Sequence, residues 1–417
     1  MNVTIHPGNI HGAVIAPPSK SLTQRAIAAG VLAAGSTVIR NPSFCDDSRA
    51  AIGIARVLGA DISTYPDHIA VSTGVRPVYS SVTLDCGESG LALRMFSPVS
   101  AALVSHATLT GKGSLADRPV TMISDALPQF GVQVETSDGH LPVKITGRLY
   151  PAKAVIDGSS GSQFLTGLLM ALPVLDSDSE IAVTSLKSKP YISLTLNLLE
   201  EFGISIINEG FSLFRIRGRQ LYRPHEYSVG GDWSSAALLL VSGAIAGEVT
   251  VSNIDCQSAQ ADRAILDALR LAGAHVREKG FSVNAAKGNL MAFKFDATDC
   301  PDLFPPLAAL AAYCKGTSTI RGARRLATKE SDRSKAIADV LTAMNIKVVI
   351  RGDEMAIEGG EVKGGCVSSH NDHRIAMMAS IAALGSREEV TITGAEAVNK
   401  SYPEFFDTLK QIGVYLD

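Results

Sequence analysis

The chain has 417 residues, of which 46% are hydrophobic and 19% charged, with a single Trp and a formal net charge of -3. So apolar a composition excludes a disordered chain, and its mild acidity argues against the broad basic surface of a nucleic-acid binder. The length exceeds one ordinary core and leaves room for two domains, each with a substantial core of its own.

In chain order, MNVTIHPGNIHGAV has neither a basic segment nor a continuous apolar one, so no secretory signal is expected and the cytoplasm is the expected location. The strand-like run VTIHPGNIHGAVIAP ends at Pro17 and Pro18, belongs to no complete repeat, and is expected to pair with the second half of the chain. SKSLTQRA then opens an apolar helical stretch, and ARVLGADIS brings the first helix-to-strand turn, at Gly59. Next come the strand SVTLDCG, the helix SGLALRMFSPVSAALV opened by GESGLALR, the strand ATLTGKG, and a helix that ends in LPQFGVQVE at Gly131. The same order returns with GSSGSQF, the helix SQFLTGLLMALPVL, and PYISLTLNLLEEF running into LLEEFGISI at Gly203. In RPHEYSVGGDWSSA, Pro224, Gly230 and Gly231 interrupt the pattern, which makes this the best candidate boundary. Beyond it lie WSSAALLLVSGAIA and ADRAILDALRLAG, with LRLAGAHVR turning at Gly273. PDLFPPL and TKESDRSKA precede LTAMNIKVV, which turns at Asn345, and NDHRIAMM and NKSYPEFF precede LKQIGVYLD, which turns at Gly413.

Successive turns are 72, 72, 70, 72 and 68 residues apart. A sixfold repeat of about 70 residues follows, each copy ending a helix at the residue type that enters the left-handed region cheaply. Each copy reads as a mixed βαβαββ unit, three to a domain, in an α/β (α+β) chain. Residues 19–228 are expected as one domain inserted into a discontinuous one of residues 1–18 and 229–417, with two crossings between them. GLLMALPVL and AALLLVSGAIAG are too short to span a membrane and read as buried helices. Cys45, Cys86, Cys256, Cys300, Cys314 and Cys366 are scattered without a CxxC pair, which favours thiols over bridges or zinc ligands.

The polar clusters fall almost entirely at expected helix starts, where unsatisfied N–H groups and the helix dipole favour phosphate and carboxylate. Several add a cation: Lys20 and Arg25, Arg118, Lys329 and Arg333, Arg374, and Lys400. Brought together, they would give a net acidic protein one focused positive cleft. Singly, each is an ordinary surface cation, Asp332, Ser331 and Asp372 are ordinary N-cap candidates, Ser159, Ser160 and Ser162 could simply cap, and Gly90 could simply be a turn. No HExxH, paired-His spacing, P-loop or dinucleotide fingerprint occurs, so no metal, nucleotide or other cofactor is expected. Asp302 and Glu330, carboxylates among cations, are the available proton acceptor and donor, with a cap or ion-pair role as the plain alternative.

The strings PSKSLTQRA, GESGLALR, LADRPV, DGSSGSQFLTGLLM, SKPYISLTLNLL, PDLFPPLAAL, KESDR, NDHRIAMM and NKSYPEFF span nearly the whole chain. In this order they closely resemble the 5-enolpyruvylshikimate-3-phosphate synthases, or 3-phosphoshikimate 1-carboxyvinyltransferases. The resemblance implies two inside-out domains of three βαβαββ units, helices inside and sheets outside. It also implies transfer of the enolpyruvyl group of phosphoenolpyruvate to the 5-hydroxyl of shikimate 3-phosphate, releasing phosphate, on the way to chorismate and aromatic amino acids. By motif, it assigns Lys20, Ser21, Arg25, Ser162, Gln163, Ser188, Asp302 and Lys329 to shikimate 3-phosphate, with Tyr191 packing nearby. Lys20, Gly90, Arg118, Gln163, Arg333, Arg374 and Lys400 fall to phosphoenolpyruvate. Asp302 would take the 5-hydroxyl proton, and Glu330, with Lys20, would serve the proton transfers at C3 of the enol. Because these motifs divide between the two halves, a cleft that closes is expected, in a monomer that binds neither nucleic acid nor membrane.

Three positions depart from the family pattern. Glu88 stands for the usual Asn of a NAGTAxRP loop, with Ser89, Leu91 and Met95 also altered; Gly161 replaces the first Ser of Ser-Ser-Gln; and Arg325 replaces an Asn before Lys329. Two other readings remain. One is the sister enolpyruvyl transferase acting on a UDP-N-acetylglucosamine, which shares the repeat but lacks SKSxxxR and carries a loop Cys where the region of Arg118 has none. The other is an inactive binding or scaffold member of the fold.

Overall fold

The computed structural model describes residues 1–74 and 81–417, which form two compact units, one of Pro18–Val229 and one of Met1–Pro17 with Gly230–Asp417. The chain passes from one unit to the other twice, at Pro17 and at Val229. All six repeat turns are left-handed, with φ from 69° at Asn345 to 94° at Gly59. At such a φ a Cβ is costly, which accounts for the Gly or Asn at every one of them.

Within Pro18–Val229, three four-stranded sheets share one topology. In the second, Val82–Asp85 and His106–Thr110 run parallel, and the hairpin Gln133–Ser137 and His140–Thr146 adds on antiparallel through its second strand. Lys153–Asp157, Ser179–Thr184, Ile206–Glu209 and Leu213–Ile216 repeat this in the third sheet. The first sheet takes its leading strand from the far end of the unit, Glu226–Ser228 lying parallel to Gly35–Arg40. Parallel neighbours demand a crossover, and each crossover is a helix. The helices Gly90–Leu103 and Gln163–Ala171 are buried along nearly their whole length, as is Lys20–Leu32 beyond its first turn. Asp46–Val57 and Lys189–Glu201 bury one face only. Strands such as Lys153–Asp157 alternate exposed and buried residues, so the sheets are half-solvated while the central helices are apolar all round. Gly167 lets two central helices touch, since a Cβ there would lie 2.4 Å from the Met95 carbonyl oxygen.

The other unit repeats the plan. Gly247–Ser252, Ser282–Ala286 and His275–Lys279 take Ile10–Ile15 as their parallel fourth strand. Lys294–Asp296, Thr317–Arg321, Lys347–Arg351 and Glu354–Glu358 form the second sheet. In the third, Gly365–Ser368 and Val390–Thr393 are joined by Asn2–Ile5, and the C-terminus pairs beside it through Thr4 and Asp417. The N-terminal segment therefore makes two strands, not one, and each completes a repeat in the second half of the chain. Every residue of the helices Trp233–Ala246, Phe304–Ala312 and His373–Ala383 is buried. These three helices pack against one another in pairs, and the Asp302–Arg374 ion pair joins the starts of the last two. Among the described residues, no helix is long and apolar enough to cross a membrane.

Candidate active site

In the unit of Met1–Pro17 and Gly230–Asp417, charged side chains gather where the central helices begin. Asp302 sits in a short 3-10 turn, Pro301–Leu303, that leads into Phe304–Ala312. Its carboxylate accepts from Arg333 Nη1 at 2.9 Å and from Arg374 Nη2 at 3.0 Å, and Lys329 Nζ lies 3.7 Å away. Burial pushes this carboxyl up, but Arg374, Lys329 and Arg333 outweigh it and hold Asp302 well below the usual carboxylate range. Lys329 falls to about 8, through burial and the nearby Arg333, against the pull of Asp302.

Arg333 opens the helix Arg333–Ala343 and is fully buried. Such burial is tolerable only with counter-charges. Arg333 donates through Nε and Nη2 to Asp372 at 3.0 and 3.2 Å, and through Nη2 to Glu330. Asp372 caps the helix His373–Ala383 by accepting from the Arg374 backbone N–H at 2.9 Å, and it also accepts from the Ser331 hydroxyl at 3.1 Å. One carboxylate thus fixes a helix start and orients a guanidinium. Two consecutive left-handed residues, His370 and Asn371, precede it, a local strain of the kind that clusters at functional sites. Lys400 is buried at the end of the 3-10 segment Ala395–Lys400, which packs on the helix that carries Arg374.

In Pro18–Val229, Ser19 caps the helix Lys20–Leu32, and Lys20 Nζ meets the buried Asp47 at 2.9 Å. The Ser21 hydroxyl lies 3.4 Å from that of Ser19. Arg25 is buried, donating to Thr195 Oγ1 and to the Ser21 carbonyl, each at 2.9 Å. Burial lowers its guanidinium to about 10, opposed by the phenols of Tyr191 and Tyr227. Thr195 also donates to the Tyr191 carbonyl at 2.8 Å, which ties Arg25 to the helix Lys189–Glu201. Ser188 stands at the N-cap position of that helix in a left-handed conformation, φ 58°.

Gly90 begins the helix Gly90–Leu103, capped by Ser89. A Cβ on Gly90 would lie 2.7 Å from Arg94 Nη1 and 2.9 Å from Arg118 Nη1, so two guanidinium groups crowd its α-carbon. Arg94 also donates to Gln163 Oε1 at 3.0 Å and to the Pro119 carbonyl at 3.4 Å, joining the starts of two central helices to the loop that carries Arg118. Arg94, Asp157, Gly158, Ser160, Gly161 and Gln163 share the wall of one pocket, and Ser162, beside it in sequence, is buried.

The chain matches the family described as EPSP synthase (3-phosphoshikimate 1-carboxyvinyltransferase) over residues 5–409. The chain belongs to this family. It is 36% identical over 427 residues to a 3-phosphoshikimate 1-carboxyvinyltransferase of Clostridium novyi, covering 100% of this chain and 98% of the relative. A protein of the same name from Aeropyrum pernix is 38% identical over 416 residues, covering 100% and 96%. The crystal structure of an EPSP synthase from Acinetobacter baumannii superposes with a TM-score of 0.82 at 27% identity, covering 100% and 99%. The enolpyruvyl transferase NikO from Streptomyces tendae shares the fold, with a TM-score of 0.79 at 20% identity and coverage of 100% and 98%.

Each of the three departures from the EPSP synthase pattern has a local setting. Glu88 turns its carboxylate to the loop of Lys112–Ser114, accepting from Ser114 Oγ at 3.3 Å. Gly161 has φ +123°, where a serine would be strained. Arg325 donates to the Thr298 carbonyl, joining the loop before Lys329 to the segment before Asp302. Four further residues were not singled out in sequence as site groups. Arg94 was detectable as a lone charge one turn into an apolar helix. Asp372 was visible only as a cap, and Asp47 and Asp262 carry no sequence signal that separates them from surface acids.

Proposed function

We propose that this chain carries out the reaction of its family, enolpyruvyl transfer from phosphoenolpyruvate to the 5-hydroxyl of shikimate 3-phosphate, with Asp302, Glu330 and Lys20 as catalytic residues. The observation that carries the reading is the Asp302 carboxylate beside Lys329, Arg333 and Arg374. Asp302 is ionised at neutral pH and is therefore in the form that accepts a proton. It takes the proton of the 5-hydroxyl as that oxygen attacks C2 of phosphoenolpyruvate, while Glu330, assisted by Lys20, delivers a proton to C3. The product of this addition is a tetrahedral intermediate. Removal of a proton from C3 then restores the double bond and expels phosphate, whose charge the surrounding Lys and Arg side chains neutralise.

Shikimate 3-phosphate is assigned to Lys20, Ser21, Arg25, Ser162, Gln163, Ser188 and Lys329, with Asp302 at its 5-hydroxyl. Phosphoenolpyruvate is assigned to Lys20, Gly90, Arg118, Gln163, Arg333, Arg374 and Lys400. Arginine suits both substrates because its planar fork binds carboxylate and phosphate bidentately. The assigned groups come from both units, so we take residues 19–228 and 1–18 with 229–417 as two domains that must engage the substrates together. We place the reaction in the cytoplasm and in a monomer, to which one chain contributes all the residues assigned above. Phosphate release measured with shikimate 3-phosphate or UDP-N-acetylglucosamine as acceptor tests the reading. Release only with the aminosugar nucleotide, or with neither, would overturn it.

A further inference from the structure

Arg94 is assigned to neither substrate, yet it stands among three residues that are: Gly90, Arg118 and Gln163. It lies one turn into the buried helix Gly90–Leu103 and is itself buried. Its side chain folds back toward the helix start. There Nη1 donates to the Gly90 carbonyl at 3.3 Å and to Gln163 Oε1 at 3.0 Å, and Nη2 donates to the Pro119 carbonyl at 3.4 Å. The bare α-carbon of Gly90 makes room for this, since a Cβ there would lie 2.7 Å from Nη1. Pro119 directly follows Arg118, and Gln163 opens the next central helix, Gln163–Ala171. One guanidinium thus joins two helix starts and a loop, reaching from two separate nitrogens as a single ammonium could not.

A guanidinium carries donors and no acceptor. The end of the Gln163 amide that faces Arg94 is therefore its oxygen, which leaves the Nε2–H groups for a different acceptor. A glutamine side chain without such a partner is free to turn its amide over, and the oxygen would then meet a phosphate or carboxylate with the wrong polarity. We propose that Arg94 is a positioning residue that acts through Gln163: it holds the amide oxygen inward, so that Nε2 is the end offered to the substrate anions. The inference rests on the assignment of Gln163 to shikimate 3-phosphate and phosphoenolpyruvate.

The test is a double-mutant cycle of Arg94→Ala and Gln163→Ala, read as kcat/KM for phosphoenolpyruvate at saturating shikimate 3-phosphate, with melting temperatures to confirm folding. Gln163→Ala removes a hydrogen bond to a charged group and should cost about 10- to 100-fold. Arg94→Ala leaves that donor in place but unordered, and should cost about 3- to 10-fold. Once Gln163 is alanine, removing Arg94 should cost less than about twofold more. A loss from Arg94→Ala that persists undiminished in the Gln163→Ala protein overturns the proposal, because a merely structural role predicts it, and so does no loss at all. Arg94→Lys keeps the buried charge and takes the place of Arg94→Ala in the same cycle if the alanine variant does not fold. Gln163→Glu tests the polarity directly: it keeps an oxygen for Arg94 and turns the outer NH2 into an oxygen, so kcat/KM should fall at least as far as in Gln163→Ala. A Gln163→Glu enzyme near wild type beside an impaired Gln163→Ala overturns the proposal. Full activity in both Gln163 variants removes the assignment of Gln163 to substrate, whereas impaired Gln163 variants with a multiplicative cycle remove only the role of Arg94. Both results differ from a wild type that releases no phosphate, which would remove the proposed function itself.

Discussion

Replacing Asp302 by Asn separates its two possible duties, because the side chain keeps its size and loses its charge and its basicity. The carboxylate lies 2.9 Å from Arg333 Nη1 and 3.0 Å from Arg374 Nη2. At an effective dielectric near 20, unit charges about 3 Å apart attract by about 5 kcal/mol before desolvation is subtracted. In the absence of substrate, Asp302 therefore holds two guanidinium groups that the proposed function assigns to phosphoenolpyruvate, and a neutral amide would release them. Loss of a general base typically costs about 10² to 10⁴ in rate, or about 2.7 to 5.4 kcal/mol. The expectation is a kcat at least about a hundredfold lower, with the KM for phosphoenolpyruvate unchanged or reduced and shikimate 3-phosphate still bound. Continuous phosphate release gives the kinetic constants, and calorimetry gives the binding. Since the cations keep Asp302 ionised well below neutrality in the empty protein, its own titration should leave kcat/KM level between pH 5 and 7. A near-normal kcat would refute the assignment as base. An unchanged kcat with a raised KM would make Asp302 a binding residue instead.

Asp372→Ala should be the most destabilising single change at this site. It strips a buried partner from the fully buried Arg333, worth about 3 to 5 kcal/mol, and removes an N-cap worth about 1 more. Asp372→Asn keeps an acceptor and should cost less; urea unfolding of the two variants settles the order. Gly161→Ser restores the hydroxyl of the family pattern, yet the φ of +123° makes it strained, and a loss of about 1 to 2 kcal/mol is expected by thermal melt. For Asp262, the folded value near 7 lies above the unfolded value near 4, so the native state holds the extra proton between those limits. Wild-type stability should therefore fall as pH rises from 4 to 7, and Asp262→Asn should gain on it by up to about 4 kcal/mol above pH 7. Equal pH profiles of melting temperature would refute the buried acid.

The repeat and its turns were legible in sequence because each copy needs a left-handed residue at one place, and a missing Cβ leaves its mark there. The helix starts were legible for a similar reason. SKSLTQRA, GESGLALR and NDHRIAMM place polar groups just before apolar runs, and each opens a buried helix. The permuted repeats were only partly so. That Asn2–Ile5 and Ile10–Ile15 complete two different sheets depends on pairing across more than 230 residues, which no local pattern encodes. Partners of the cations were the least visible. Asp372 is an ordinary cap by its sequence, and only the packing of two helix starts turns the same oxygens toward Arg333. Arg25 offers a similar lesson: its partner Thr195 lies on a helix 170 residues away.

The acids among the arginines also bear on how a site for two anions exists before either arrives. A fully buried Arg333 without counter-charge would be costly, so Asp302, Glu330 and Asp372 occupy its donors. They are not equivalent. Asp372 is wholly buried and committed to the Arg374 N–H and the Ser331 hydroxyl, so it cannot turn away without undoing a helix cap. The side chain of Asp302 is 23% exposed, within the 3-10 turn Pro301–Leu303, where an incoming carboxylate or phosphate can take over its cations. In the proposed mechanism that exchange has a chemical consequence. The cations that hold the Asp302 carboxyl low are the ones the substrate draws off, so its basicity rises as the site fills. The base is weak in the empty protein and stronger beside the hydroxyl it must deprotonate, which makes proton transfer depend on both anions being present.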